Sequence, residues 1–202
     1  MNPRLLSSIF SSLGSRSWAL TRTLKSDNPM DIKGELRGMA TFTPLRGNGN
    51  DNNDVVYREE GEMPSTVGMG MAGLRWTKKY IWRLGEKGNI SVWFVKVGGE
   101  QDEADYLFHE FDFAGENKDK DTEDATNPVV TPPTPPLLSN SDRETTVLMA
   151  RGNHLCIKDM YRTAYAFRID PETGDVLSWS SRHMVKGPKK NQDIVNLYRL
   201  EG

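Results

Sequence analysis

The sequence predicts an antiparallel β-barrel of about nine or ten strands preceded by a short N-terminal helix. Three observations carry that prediction. From Gly73 to Leu84 apolar and polar residues alternate, with Leu74, Trp76, Tyr80 and Trp82 on one parity and Arg75, Thr77, Lys79 and Arg83 on the other. Alternation of this kind is the period of a half-buried strand. Similar segments recur at regular spacing between turn signals, and no strand–helix–strand alternation appears, so the sheet is antiparallel. The strands are rich in aromatics and none reads as a charged edge, which favours closure over an open sandwich.

The elements follow in order. Leu5, Leu6, Ile9, Phe10 and Leu13 recur at helical spacing, and Gly14 is placed to cap that helix. The same stretch has Arg4, Arg16, many serines and no acid before Asp27, so residues 1–16 also read as a weak mitochondrial presequence. Residues 17–202 read as one barrel domain. Its strands are expected at 17–26, 34–45, 54–63, 73–84, 90–97, 105–113, 145–156, 159–169, 176–185 and 193–200. The Gly/Asn run 47–53 is a loop, 85–89 a hairpin turn, and Pro171-Glu-Thr-Gly174 a turn. Residues 116–143 begin acidic, continue as Thr131-Pro-Pro-Thr-Pro-Pro136 and hold no aromatic residue. Proline lacks the amide donor and the charges oppose burial, so this insertion is expected to be disordered, or to dock on a partner as a polyproline helix.

Bulk properties narrow the function classes. A net charge of −2 gives no electrostatic case for nucleic acid. The single cysteine cannot form an intrachain disulfide, so a reducing, cytoplasmic location is expected, with the mitochondrion as the alternative. No apolar run approaches the roughly 20 residues of a membrane helix.

The densest chemistry lies in His154-Leu-Cys156-Ile-Lys-Asp159-Met-Tyr161. Its polar groups fall on both strand parities, so some of them should face a core or cavity. Cys156 reads most simply as a small buried apolar residue. Asp159 and Tyr161 share a face, where an acid beside a phenol can bind a hydroxyl or carbonyl. His109 shares its parity with Leu107, Phe111 and Phe113. It is either a bonded core histidine or a cavity histidine that orients a ligand. Arg58 and Arg199, if inward, would suit a carboxylate. Gly187-Pro-Lys189-Lys190 reads as a turn whose Lys189 could reach an anion at the barrel mouth. The candidate binding set is therefore His109, His154, Cys156, Asp159, Tyr161, Arg58 and Lys189. Glu59 and Glu60 support no two-carboxylate glycosidase arrangement.

Several segments in order carry a family resemblance: Trp18, Gly38-Met-Ala-Thr-Phe42, Tyr57-Arg-Glu-Glu-Gly61, Tyr80-Ile-Trp82, Phe108-His-Glu-Phe-Asp-Phe113, His154-Leu-Cys156 with Asp159 and Tyr161, Gly187-Pro-Lys-Lys190, and Tyr198-Arg199. Together they resemble the uncharacterised family named domain of unknown function 6314. The resemblance implies a lipocalin-like or calycin-like barrel and no established activity. Against compact members, residues 116–143 and the Gly/Asn run look like insertions.

Three functions fit such a barrel. The first is binding of a small apolar or amphipathic ligand inside it. The second is an isomerase, cyclase or hydratase using His, Asp and Tyr as acid–base groups. The third and weakest is a metal or haem site at His109, His154 and Cys156, because no compact ligand spacing beyond His154-x-Cys156 exists. No cofactor and no metal are expected.

Overall fold

In a computed structural model, described over residues 2–14, 16–45, 54–64, 73–113, 130–138, 143–156, 159–188 and 190–201, the chain is a closed barrel. Helix α1 (Pro3–Gly14) leads into strands β1 (Ser17–Ser26), β2 (Gly34–Pro44), β3 (Asp54–Glu62), β4 (Arg75–Leu84) and β5 (Asn89–Val95). Strands β6 (Ala104–Asp112), β7 (Thr146–Cys156), β8 (Asp159–Ile169), β9 (Val176–Lys186) and β10 (Asn191–Leu200) follow. Each strand pairs antiparallel with the next, and β1 closes the ring against β10, with Trp18 opposite Leu200 and Ser26 opposite Gln192. This is the lipocalin-like, up-and-down arrangement, which leaves no edge strand to protect. The Gly/Asn run lies outside the described residues.

Helix α1 closes one end. Asn2 caps it by accepting from the Arg4 backbone N–H at 3.0 Å, and Pro3 fills the first helical position. Gly14 is the last helical residue rather than a left-handed cap. Leu6, Ile9, Phe10 and Leu13 are buried in the same core as Trp18, Phe42, Trp82, Phe111, Phe167 and Trp179. Two bonds fix the helix to the barrel. Trp18 Nε1 donates to the Leu13 carbonyl at 3.3 Å, and the Val176 N–H donates to Ser12 Oγ at 2.9 Å. The apolar stripe read from the sequence is thus the plug of the barrel. No helix among the described residues is long and apolar enough to cross a membrane.

The expectation of a disordered 116–143 does not hold at 130–138. Val130, Pro132, Pro135 and Pro136 are buried. The segment lies as an extended strap across the outer face of β8 and β9. There the outward residues are small: Ala164, Ala166, Ser178 and Ser180, with Ala166 opposite Ser180. Ser178 Oγ donates to the Pro136 carbonyl at 2.6 Å, Ser180 Oγ donates to the Pro133 carbonyl, and Arg168 Nη2 donates to the Pro135 carbonyl at 3.2 Å. Proline lacks a donor, but its carbonyl accepts normally, so a proline run can be tied down wholly as an acceptor. The partner groove is the protein's own barrel. Residues 114–129 and 139–142 lie outside the described residues.

Candidate functional site

Opposite α1 the barrel interior opens into a cavity of about 250 Å³. Its floor is aromatic. Trp82 packs edge-on against Phe111, Tyr165 and Trp179, and Trp179 stacks flat on Tyr198. Toward the mouth the wall is Tyr80, Phe94, Phe108 and Tyr161, with Tyr80 stacked on Phe108 at 5.6 Å between ring centres.

One side of the wall is polar, and strand parity explains each member. On β1, Trp18, Leu20 and Arg22 point inward; on β3, Val55, Tyr57 and Glu59; on β10, Asn196 and Tyr198; on β9, Trp179, Ser181 and His183. Arg22 and Glu59 form an ion pair at 2.8 Å, with side chains 5% and 3% exposed. Glu59 Oε1 accepts from Arg22 Nη2, from Tyr57 OH and from Tyr198 OH, while the two phenols stand 2.9 Å apart. Two hydroxyl protons therefore serve three contacts. Burial pushes all of Tyr57, Tyr165 and Tyr198 well above the usual phenol range, and Tyr80 up to about 12, with the Glu59 carboxylate adding to the effect.

A hydrogen-bond chain runs on from the ion pair. Arg22 Nε donates to Asn196 Oδ1 at 2.7 Å, and Asn196 Nδ2 donates to Ser181 Oγ at 2.8 Å. Arginine only donates, so the amide orientation is fixed. Ser181 Oγ stands 3.1 Å from His183 Nε2. Ser181 accepts from Asn196 and has its own proton to donate to His183 Nε2, an arrangement in which the His183 proton lies on Nδ1. Burial, followed by the Arg22 and Lys78 charges, pushes His183 down to about 3, so the ring is neutral. It is only half-buried because the surface it keeps faces the cavity.

His109 lines the same cavity and is 1% exposed. Its Nε2 lies 2.8 Å from Tyr165 OH, and its Nδ1 has no partner. Burial and the neighbouring His183 hold it well below the usual imidazole range. The phenol is the better donor, so Tyr165 donates to Nε2 and the proton sits on Nδ1. The His109 and His183 rings are 5.9 Å apart. Strand β6 bulges here: Val92 faces His109, but Trp93 faces Leu107. The extra residue, Phe108, turns inward beside His109, so both line the cavity. A simple alternation places Leu107 on that face instead.

The other predicted residues are placed as follows. Tyr161 lines the mouth, opposite His154 in the β7–β8 register, with the two rings 6.2 Å apart. Asp159 is at the rim, 3.5 Å from Lys190, which also donates to Tyr161 OH at 3.1 Å. His154 and Asp159 are half-buried and do not line the cavity. Lys189 and the side chain of Cys156 lie outside the described residues. Arg58 corrects the expectation of an inward arginine: it is on the outward parity of β3 and pairs with Glu60 at 2.9 Å. The inward arginine is Arg22. Among the described residues, no group of three or more His, Cys, Asp or Glu could hold a metal ion.

Arg22, Lys78, Ser181, His183 and Asn196 are not singled out from the sequence, and Glu59 is considered there only as a glycosidase carboxylate. Their signal was available, since each shares a parity with neighbouring apolar or aromatic residues.

No match to this sequence is found among curated proteins. One family model does match, over residues 14–128 and 136–200, leaving out most of α1 and the first part of the strap. The chain belongs to the family of unknown function DUF6314.

Proposed function

We propose that the barrel binds a small amphipathic molecule in its interior. The observation that supports this most is an aromatic cavity with two neutral imidazoles on its wall, one of them carrying a buried nitrogen with no partner. A buried polar group left unpaired costs about 1–3 kcal/mol, a cost that a binding site tolerates and a plain core avoids. The apolar body lies against Tyr80, Phe94, Phe108 and Trp82. An acceptor oxygen meets the His183 ring, which keeps surface on the cavity, with His109 packed behind it. The bulge that brings His109 and Phe108 inward together fits the same reading.

A second reading, an acid–base enzyme, draws on the Tyr57–Glu59–Tyr198 contacts, where two protons are shared over three close oxygen pairs. The raised phenols disfavour a tyrosinate base, so binding ranks first. We place the protein in a reducing, cytoplasmic setting. Cleaving residues 1–16 as a presequence would uncover the core that α1 plugs.

Native mass spectrometry of the purified protein tests the binding reading. Val185 is buried and lines the cavity, and Val185→Phe fills the space without adding charge. A small-molecule adduct on the wild type that is lost in Val185→Phe is expected. An adduct retained in the filled variant would place the ligand elsewhere and overturn the reading. Conversion of the bound molecule on incubation would favour the enzyme.

A further inference from the structure

The charges on the cavity wall do not balance. Among the described residues that line it, Arg22, Glu59 and Lys78 are the side chains with a formal charge. Arg22 and Glu59 neutralise one another at 2.8 Å. Lys78 sits across from Glu59 in the β3–β4 register and faces the mouth on the parity of Trp76, Tyr80 and Trp82. It has no ion-pair or hydrogen-bond partner among the described residues, and unlike the other unpaired lysines it lines the cavity.

Arg22 also keeps donor capacity. Its Nε serves Asn196 and its Nη2 serves Glu59, but Nη1 has no protein partner among the described residues. A guanidinium with a free fork arm and a nearby unpaired ammonium form a common oxyanion clamp. Trp76 covers Arg22 from the other side, its ring centre 5.6 Å from the guanidinium carbon. Gly38 and Gly61 make room for that indole, since a Cβ at either would stand within 3.0 Å of it. The arginine is thus held in place by packing as well as by hydrogen bonds.

We propose that the ligand is an amphipathic anion, a carboxylate or similar oxyanion on a small apolar body, held at its charged end by Arg22 Nη1 and Lys78 Nζ. This rests on the cavity being a binding site. The anion supplies the charge that the wall lacks. It also offsets the desolvation and the repulsion from Arg22 that lower the lysine's proton affinity. Tyr80, Phe94 and Phe108 receive the apolar body, and Gln192 stands beside the mouth as a neutral polar neighbour. A cationic ligand would meet the like charge of Lys78, and a neutral one would leave Lys78 unanswered.

Calorimetric titration with three matched probes decides the point: 3-phenylpropanoate, 3-phenylpropanamide and 3-phenylpropylamine. The carboxylate is expected to bind about tenfold or more tightly than the amide and the amine. Lys78 stands at the mouth and keeps exposed surface there, so its variants are expected to fold. Lys78→Met should reduce the carboxylate-to-amide ratio at least about threefold with amide affinity unchanged, and Lys78→Arg should restore it. Equal or tighter binding of the amide or amine by the wild type would overturn the anion assignment and leave the binding site standing. So would a Lys78→Met variant that weakens all three probes alike. Failure of all three probes to bind would remove the cavity as a binding site for this class and the assignment with it.

Discussion

Arg22 organises the polar side of the barrel interior. An unpaired guanidinium buried this deeply would be costly, and it is stable here because Glu59 and Asn196 receive it. Desolvation opposes its charge, but Glu59 and the neighbouring phenols outweigh that and raise its pKa. The two cavity histidines make the opposite choice and stay neutral. That choice sets a pH dependence. Their folded pKa values lie below the ordinary imidazole value of 6.5, with His183 near 3. The unfolded chain therefore binds more protons than the folded one as pH falls through this window, and stability falls with it. Below about pH 6.5 each histidine contributes a loss of at most about 1.4 kcal/mol per pH unit, for His183 down to about pH 3. Urea melts from pH 7 to pH 4 are expected to show midpoints dropping with acid, and replacing His183 with Gln should flatten the drop. A profile that is flat in the wild type would mean that the rings ionise without strain. Much of this site was legible from parity. Trp18-x-Leu20-x-Arg22 and Trp76-x-Lys78-x-Tyr80 each carry a charge on the inward stripe. Parity alone does not single them out, because charged residues usually turn to solvent. The partners that make Arg22 tolerable inside come from β3 and β10, 37 and 174 residues away, and no local pattern joins them.

At the scale of elements, strand positions were the most legible feature. Strands β1 and β8 run over the expected residues, and the others differ by three residues or fewer at either end. Hydrophobic alternation fixes a strand wherever one face is buried. The β6 bulge was not legible, because an extra residue leaves composition unchanged and shifts parity only against its partner. The strap was misread for a related reason. Composition records missing donors and opposing charges but not the carbonyls of Pro133, Pro135 and Pro136, nor the small groove on β8 and β9 that waits for them. Deleting residues 130–138 would uncover Ala164, Ala166 and Ser178 and leave Arg168 without one of its acceptors. Three lost hydrogen bonds at about 1 kcal/mol each, with some apolar exposure, should lower the melting temperature by roughly 5–15 °C. Differential scanning calorimetry of the deletion against the intact chain measures this. A change of less than about 2 °C would mean that the strap packs without stabilising.

The whole molecule is a cup. Helix α1 and the aromatic cluster around Trp82 and Trp179 close one end, and the closed ring of ten strands leaves the other open above a cavity of about 250 Å³. The seam between β6 and β7 is the least regular part of the wall, with Asp112 and Arg151 as its ladder pair. Gly152 allows the close approach there, since a Cβ would collide with the Glu110 carbonyl. The sequence left His109 either a bonded core histidine or a cavity histidine; the ring is buried, bonded to Tyr165, and lies in the cavity wall. The central claim is that His109 and His183 form a neutral, donor-bearing pole that meets a ligand inside the barrel. The chain has three histidines, so an imidazole nitrogen-15 NMR spectrum resolves each ring. At pH 7 neutral rings protonated on Nδ1 are expected for His109 and His183, both shifting when 3-phenylpropanoate is added, with neither shift in Val185→Phe. Charged rings in the free protein, or ligand binding that leaves both resonances unmoved, would contradict it.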